Sequence, residues 1–289
     1  MTRGGRIGHA AEVLLRRHQC VVEARVAVTG LATVWKVRGP SGPAALKLYH
    51  GGDMRNESHG FDLLAALDGR GVARLLDREP GLALLEWLEG PSLGDLVRDG
   101  QDDVASEHLL DVARQLHSGP MDLPEPLPTL EAWFSALFAL RMTSDCPSEL
   151  RGDIGRAQAI ARGLLASPRD VTPLHGDLHH DNIRMGARGW LAFDAKGVIG
   201  DRGYELANAF RNPVGADDLI RQPDRIRRLA DLWSVGFGVD RGRLLKWAAA
   251  KAALSMAWSS GGHLGKHEEA DILSILLEIS EADVPLTRS

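Results

Sequence analysis

The stretch Leu174-His175-Gly176-Asp177-Leu178-His179-His180-Asp181-Asn182-Ile183 carries more information about this chain than any other. Asp177 and Asn182 lie five residues apart in a turn-rich segment between two apolar runs, so both side chains can face one cleft. Asp194 follows twelve residues after Asn182, at the end of the apolar run 190–193, which is typical of a β-strand. Phosphoryl transfer to a hydroxyl requires a carboxylate that accepts the proton and oxygen ligands that hold Mg²⁺ on the nucleotide phosphates. The segment therefore predicts that chemistry, with Asp177 as the base and Asn182 and Asp194 as metal ligands.

The pattern H-x-D-x-x-x-x-N followed by a strand-end Asp resembles the catalytic loop and metal-binding Asp of the protein-kinase-like superfamily. The form HGDLHHDN, with no Arg after the His, is similar to the aminoglycoside phosphotransferase branch. The continuation GWLAFDAKGVIGDRGYELAN, residues 189–208, is similar to the streptomycin 6-phosphotransferase group, which includes hydroxyurea phosphotransferases. One departure is Ala195, where that group usually has Pro. We expect this change to loosen the turn after Asp194 without removing any chemistry.

The resemblance implies an α+β, two-lobed protein-kinase-like fold. The N-lobe, residues 1–88, would hold a five-stranded antiparallel sheet plus a helix and would bind the nucleotide. The mainly helical C-lobe, residues 89–289, would carry the catalytic loop and the substrate site. The implied activity is ATP-dependent phosphorylation of a small-molecule hydroxyl, most readily that of streptomycin or a related cationic aminoglycoside, with Mg²⁺ as cofactor and GTP as another possible donor. Such an activity would confer antibiotic resistance.

Other interpretations of the same segment remain open. His175, His179 and His180 could form a zinc site, because histidines at i and i+4 share a helix face, although Asn182 would then have no role. The segment could also be a polar loop without chemistry. Within the kinase interpretation, the acceptor could be hydroxyurea or a metabolite, or the protein could be a pseudokinase that binds nucleotide without turnover.

The composition restricts the class of protein. The chain has 289 residues, 44% of them hydrophobic, which suits one large domain or two lobes with a buried core. Its net charge of −5 argues against nucleic acid as the main partner and suits a cationic small molecule. The start of the sequence, residues 1–6, is not followed by an apolar signal-peptide core, and no apolar run is long enough for a membrane span. The isolated residues Cys20 and Cys146 are typical of reduced thiols, so we expect a cytoplasmic protein without a membrane partner.

Lys47 is the strongest candidate in the N-terminal part. It lies inside the apolar run Ala44-Ala45-Leu46-Lys47-Leu48, where an unpaired ammonium group would be costly. The kinase resemblance supplies its partners, the nucleotide phosphates and a helical glutamate, for which Glu57 is the candidate and Asp62 the competitor. Without that context, Lys47 would be an edge-strand lysine facing solvent.

Three further nucleotide contacts are predicted. Gly30 lies in the turn Thr29–Thr33, where free amides could approach a phosphate, although an ordinary hairpin turn would look the same. By resemblance, the Glu86 carbonyl and the Leu88 amide would hold the adenine edge, with Leu85 behind the ring.

Two residues are predicted to support the catalytic loop. His175 would brace it, and Asp201 would cap the following helix at the position of a family acid that braces the same loop. Six acids are candidates for the substrate pocket by their place in the C-lobe, although each suits a surface charge as well: Asp145, Glu149, Asp153, Glu268, Glu269 and Asp271.

The hydrophobic pattern predicts strands over residues 21–28, 32–37, 43–49, 71–76 and 82–87. It predicts helices over residues 10–17, 53–67, 103–117, 130–142, 147–166, 202–211, 223–237, 241–259 and 266–280, and a further helix capped by Ser92. Trp233, Trp247 and Trp258 are expected in the core. The arginines at 221, 225, 227 and 228 are expected on a solvated helix face.

Overall fold

The computed structural model of the protein describes residues 7–54, 57–123 and 125–282. The N-terminal residues 1–6, the first part of the helix expected over 53–67 and position 124 in the proline-rich linker fall wholly or partly outside these ranges.

The N-terminal part is a five-stranded antiparallel sheet in the order β1-β2-β3-β5-β4. Its elements are α1 (His9–Arg17), β1 (Val21–Val28), β2 (Ala32–Gly39), β3 (Gly42–Tyr49), α2 (Glu57–Leu67), β4 (Leu75–Glu79) and β5 (Leu82–Glu86). Leu14 of α1 packs on Trp35, Leu46 and Leu84, whereas Phe61 of α2 joins the large core of the molecule. Alternation along β3 therefore places Leu46 towards α1 and Lys47 towards the opposite face.

Strand β1 forms one edge of this sheet, and all eight of its residues are exposed. Its pairing with β2 is interrupted twice, between Val22 and Ala24 and between Arg25 and Ala27. Such irregularities bend and twist an edge strand, which makes it a poor template for a further strand.

The remainder of the chain is mainly helical. Its helices are α3 (Leu93–Arg98), α4 (Asp102–Leu116), α5 (Leu130–Phe138), α6 (Ser148–Leu165), α7 (Asp217–Ile220), α8 (Pro223–Phe237), α9 (Arg241–Ser259) and α10 (Ala270–Ala282). Short strands pair two by two: β6 (Arg141–Met142) with β11 (His263–Leu264), β7 (Val171–Leu174) with β10 (Val198–Asp201), and β8 (Ile183–Gly186) with β9 (Gly189–Ala192). Helix α9 lies at the centre of this part, with both Trp247 and a run of alanines buried. The architecture confirms the predicted α+β, kinase-like fold class.

Several elements begin or end at other residues than predicted, and tertiary contacts explain these differences. The strand expected to begin at residue 71 begins at Leu75, because residues 71–73 bond instead to Ala192 through Ala192 N to Gly71 O (2.9 Å) and Ala73 N to Ala192 O (2.8 Å). The helix expected over 202–211 is two 3₁₀ turns, Arg202–Tyr204 and Ala207–Arg211, that flank the buried Glu205.

Three helices also begin or end at residues other than those predicted. The helix expected over 53–67 is described from Glu57, and that expected from residue 266 begins at Ala270. The helix expected over 130–142 ends at Phe138, since residues 141 and 142 pair with β11. The predicted Ser92 cap is confirmed: its hydroxyl accepts from Asp95 N (3.0 Å), and the Asp95 carboxylate accepts from Ser92 N (2.7 Å).

Two predictions about burial were wrong. Trp233 and Trp247 are fully buried, but Trp258 is 41% exposed. Arg225, expected on a solvated face, is 3% exposed and forms an ion pair with Asp102 at 2.8 Å, which compensates its burial. Within the described residues, no helix is both long and apolar enough to cross a membrane.

Candidate active site

The segment after β7 folds so that Asp177 and Asn182 touch. Gly176 has φ +80°, a conformation that favours glycine, and lets the chain turn sharply before Asp177. The side-chain amide of Asn182 donates to the Asp177 carbonyl (2.9 Å) and to its Oδ2 (3.3 Å), and Asn208 donates to Oδ1 (2.9 Å). Because the Asn182 nitrogen is used in this way, its Oδ1 is the atom available to a cation.

The three histidines of this segment have different partners. His175 is buried; its Nε2 lies 3.0 Å from the Phe193 carbonyl, and its Nδ1 accepts from Asp177 N (3.3 Å). Burial lowers the pKa of His175 despite the opposing charges of Glu205 and Asp177, which suits a neutral ring with one donor and one acceptor nitrogen. His179 Nδ1 accepts from Asp181 N (3.3 Å), and His180 is fully buried. Within the described ranges, no three His, Cys, Asp or Glu side chains converge as metal ligands, so the geometry gives the zinc interpretation no support.

The buried side chain of Glu205 contacts the backbone of the segment 174–183. Glu205 Oε2 accepts from His175 N (3.0 Å) and lies 2.8 Å from His117 Nε2. Burial would raise the pKa of Glu205, but His117 and His175 outweigh it and keep that pKa low. Asp201 caps the next turn through Gly203 N (2.8 Å), as predicted, and pairs with Arg243. The hydrogen bond to the backbone of His175 comes from Glu205, four residues after Asp201 in the run GDRGYEL.

Lys47 and Glu57 come together, as the sequence predicted. Lys47 Nζ donates to Glu57 Oε2 (2.6 Å) and to Asp194 Oδ1 (2.9 Å). Burial would lower the pKa of Lys47, but Asp194 and Glu57 outweigh it, so that pKa is raised. The competitor Asp62 is engaged elsewhere, by Arg78 at 2.6 Å.

Glu57 has two further donors that the sequence analysis missed. Lys196 Nζ donates to Glu57 Oε1 (2.9 Å), and the Tyr49 hydroxyl donates to Oε2. Burial would raise the pKa of Glu57, but Lys47 and Lys196 lower it to about 2. Lys196 lies two residues after Asp194 and was visible in the sequence as part of the run DAKG.

Asp194 and Asn182 lie on neighbouring backbone segments. Phe193 N donates to the Asn182 carbonyl (2.9 Å), just beyond the paired strands β8 and β9. Asp194 has φ +58°, an uncommon left-handed conformation for a residue with a side chain. Its carboxylate is 39% exposed. A carboxylate and an amide oxygen are hard donors of the kind that Mg²⁺ prefers, so the residues present fit that ion.

A cleft of about 410 Å³ opens beside Lys47, between the sheet and the C-terminal part. Its wall includes Leu85, Glu86 and Leu88, as expected for an adenine site, and Ala45, Ala73 and Phe193. The Glu86 side chain points to Arg188 (2.6 Å), so any contact of Glu86 with a ligand would come from its backbone.

The glycine turn differs from the expectation. Thr29 and Leu31 line the cleft, whereas Gly30 is not among its lining residues. The Thr29 hydroxyl accepts from Leu31 N (3.3 Å) and Ala32 N (3.0 Å), so these two amides are not free for a phosphate.

Five of the six candidate substrate acids lie away from Asp177 or on the surface. Asp145 bonds to Thr143, Asp153 to Arg156 and Asp271 to Arg221, and Glu149 and Glu268 are exposed. Glu269 is the exception: it pairs with Arg211, which in turn donates to Asn208 Oδ1 (3.1 Å), and Asn208 donates to Asp177.

Lys251 of α9 is a further residue that was not predicted from the sequence. Its Nζ lies 3.9 Å from Asp177 Oδ1. The signal was a single lysine within the apolar run WAAAKAALSMAW.

A lysine on a five-stranded sheet that pairs with a glutamate of the adjacent helix, together with a loop in which an aspartate and an asparagine touch, is the arrangement of a phosphotransferase of the protein-kinase-like class. Comparison with known proteins agrees: the aminoglycoside/hydroxyurea antibiotic resistance kinase family matches residues 17–262, and the chain belongs to this family.

Three relatives are similar to this chain in amino-acid sequence. A streptomycin 3''-kinase of Klebsiella pneumoniae is 35% identical over 252 residues, covering 86% of this chain and 91% of the relative. A streptomycin 6-kinase of Streptomyces griseus is 34% identical over 207 residues, covering 68% and 64%. A hydroxyurea phosphotransferase of Kitasatospora aureofaciens is 30% identical over 269 residues, covering 88% and 71%.

Among solved structures, aminoglycoside phosphotransferase APH(4)-Ia in complex with ADP and hygromycin B superposes with a TM-score of 0.60, at 10% identity, over 94% of this chain and 98% of that one. This likeness concerns the fold.

Proposed function

We propose that this protein is an ATP-dependent O-phosphotransferase that phosphorylates a hydroxyl of streptomycin or a related aminoglycoside and so confers resistance. The observation that carries the proposal is one connected network: Lys47 and Asp194 line the cleft and share a hydrogen bond, and the bond from Phe193 N to the Asn182 carbonyl links Asp194 to the segment in which Asn182 donates to Asp177. The similarity to two streptomycin kinases supports the choice of acceptor.

In this proposal each residue has a distinct task. Lys47, held by Glu57, neutralises the nucleotide phosphates, and the backbone of Glu86 and Leu88 binds the adenine edge. Asp177 orients the attacking hydroxyl and accepts its proton late in the transfer. Catalysis then rests mainly on positioning and charge stabilisation.

Asn182 and Asp194 would hold Mg²⁺, which neutralises charge that develops on the phosphates. Lys47 and Asp194 share a hydrogen bond, so the same network positions the cation site and the phosphate site. The boundary near residue 88 would separate the nucleotide lobe from the acceptor lobe.

The structure also offers an observation that favours a second acceptor class. Glu269, the candidate acid linked to Asp177 through Arg211 and Asn208, is already paired with Arg211, and Lys251 adds a further positive charge. A neutral acceptor such as hydroxyurea, or another small hydroxyl compound, would meet no repulsion there, which agrees with the hydroxyurea phosphotransferase relative.

An ADP-release screen of the purified protein tests these proposals. Aminoglycosides, hydroxyurea and small alcohols are offered with MgATP, and Asp177→Asn serves as the control for turnover. Phosphorylated streptomycin is then examined by NMR to distinguish attack at the 6- and 3''-hydroxyls. Efficient turnover of a neutral acceptor with streptomycin untouched would replace the aminoglycoside assignment. Nucleotide binding without turnover of any acceptor would instead favour the pseudokinase.

A further inference from the structure

Lys251 is a buried cation that the proposed reaction does not yet use. It lies near the middle of α9, is 3% exposed, and is flanked by the buried alanines 248–250, 252 and 253. An ammonium group in such surroundings is costly unless a partner compensates it. Its position therefore demands an explanation beyond packing.

Asp177 and the Trp258 ring lie beside the ammonium group of Lys251. Its Nζ lies 3.9 Å from Asp177 Oδ1 and 4.7 Å from the centre of the Trp258 ring. Trp258 packs edge-on against Trp133, with ring centres 5.6 Å apart, and Trp133 in turn lies against Gly176. Trp258 and Trp133 thus connect Lys251 to Gly176, the residue directly before Asp177.

The two oxygens of Asp177 are not equivalent in this arrangement. Oδ1 receives the Asn208 hydrogen bond (2.9 Å) and faces Lys251, whereas Oδ2 receives a long bond from Asn182 (3.3 Å) and lies 3.9 Å from His179. We infer that Lys251 is a positioning residue: together with Asn208 it fixes Oδ1 and leaves Oδ2 as the oxygen that receives the proton of the acceptor. This inference rests on the proposed function.

The proposed phosphoryl transfer forms one bond to phosphorus and breaks one. The acceptor oxygen forms a bond to the γ-phosphorus, the bond from that phosphorus to the bridging oxygen breaks to release ADP, and the hydroxyl proton passes to Oδ2. Lys251 takes no part in bond making; it fixes the direction in which the carboxylate faces the hydroxyl, and small errors in that direction are costly in rate.

Charged groups from four segments surround the lysine. Asp177 and Glu269 face it with negative charge, and Arg211 and Lys196 with positive charge. Burial lowers the pKa of Lys251 to about 8, with Asp177 and Glu269 opposing and Arg211 and Lys196 adding to the shift. The ammonium form therefore dominates at neutral pH and is lost as pH rises above about 8.

Turnover measurements provide the first test, with Lys251→Met as the variant because it removes the charge and keeps the volume. Lys246→Met is the matched control, since Lys246 lies on the same helix beside a different cleft. We expect Lys251→Met to lower kcat about 10- to 100-fold, in the range of effects expected from misplaced reacting groups, with KM for MgATP unchanged. The fall of wild-type kcat above about pH 8 should be absent from the variant. A packing role alone would lower Tm and leave the pH profile as it was; that result, or wild-type kcat in Lys251→Met, overturns the inference.

A second test needs neither an acceptor nor a folded Lys251 variant. The chain has six lysines, so ¹³C-labelled lysine gives few resonances, and Lys251 is assigned through its contact with the Trp258 ring. In Asp177→Asn the titration midpoint of Lys251 should fall by about one pH unit, because a carboxylate that favours the ammonium form is gone. An unchanged midpoint contradicts the inference. If the wild type turns over no acceptor, the proposed function fails, and this titration still decides whether Lys251 and Asp177 are coupled.

Discussion

At the scale of single residues, Asp194 has a φ of +58°. A proline at the next position would disfavour this conformation, because the proline ring restricts the preceding residue to extended backbone. Ala195 follows Asp194 here, at the position where the resemblance would place proline, and alanine imposes no such restriction on Asp194. We therefore expect that Ala195→Pro would oppose the left-handed conformation of Asp194.

The first prediction concerns Asp177. Replacement by Asn keeps the shape and removes the proton acceptor, so turnover should fall roughly 10²–10⁴-fold, the usual range for loss of a general base. Nucleotide affinity should persist, because Asp177 does not line the nucleotide cleft. Steady-state kinetics and nucleotide titration measure the two effects; a variant with near wild-type kcat would show that another group is the base.

The second prediction concerns Glu57 and acid stability. Its pKa in the folded protein is about 2, against an ordinary value of 4.5, because Lys47 and Lys196 outweigh the effect of burial. A lowered folded pKa contributes stability that is present above the ordinary value and is lost as pH falls towards the folded one. Urea unfolding between pH 5 and 2 should therefore show a steeper loss of stability for wild type than for Glu57→Gln. Glu149→Gln, at an exposed position of α6, should follow the wild type; parallel curves for all three proteins contradict the assignment.

At the scale of elements, α2 rests directly on the backbone that carries Asp194. A Cβ added at Gly60 would lie 1.7 Å from the Ala195 carbonyl oxygen, and one added at Gly197 would lie 2.4 Å from the His59 carbonyl oxygen. Two backbones thus meet without intervening side chains. This contact sets the distance from Glu57, on α2, to Lys196 and Asp194.

The third prediction follows from that contact. Gly60→Ala should displace α2 and destabilise the protein by about 1–3 kcal/mol, the usual cost of overpacking, and should raise KM for MgATP because the Lys47–Glu57 pair moves. Gly155→Ala is the control: its Cβ meets open space on helix α6, so it should stabilise by about 0.4–1 kcal/mol. Thermal unfolding and nucleotide kinetics of both variants provide the measurement, and equal behaviour of the two would refute the contact.

Sequence alone predicted some elements well and others poorly, for reasons that lie in their contacts. The bounds of strand β1 and helices α8 and α9 matched residue by residue. Helix α8 has buried positions at helical spacing, and α9 begins directly after Asp240, whose side chain caps it. The 3₁₀ turns around Glu205 could not be predicted in this way, because a bond to His175 thirty residues away decides their shape. The same limit applies to Lys251: its charge and its neighbours were visible, but its partner Asp177 lies on a different element.

At the scale of the whole molecule, the proposed function predicts that charge affects the binding of a cationic acceptor. The fourth prediction is that KM for streptomycin rises with salt considerably more than kcat falls, because a guanidinium group of the acceptor would replace Arg211 as the partner of Glu269, which is partly exposed, and such pairs are screened over about 8 Å at physiological ionic strength. Initial rates from low to high salt provide the measurement. A neutral acceptor such as hydroxyurea should show little dependence, and a salt-independent KM for streptomycin would contradict the prediction.

The sheet and the helical part meet backbone to backbone in two places, at Gly60 with Ala195–Gly197 and at Gly71–Ala73 with Ala192. Both contacts flank Asp194 along the chain, so the backbone that carries this carboxylate is anchored on either side. The salt bridge between Lys47 and Asp194 is therefore built on two backbone contacts and does not depend on side-chain packing alone.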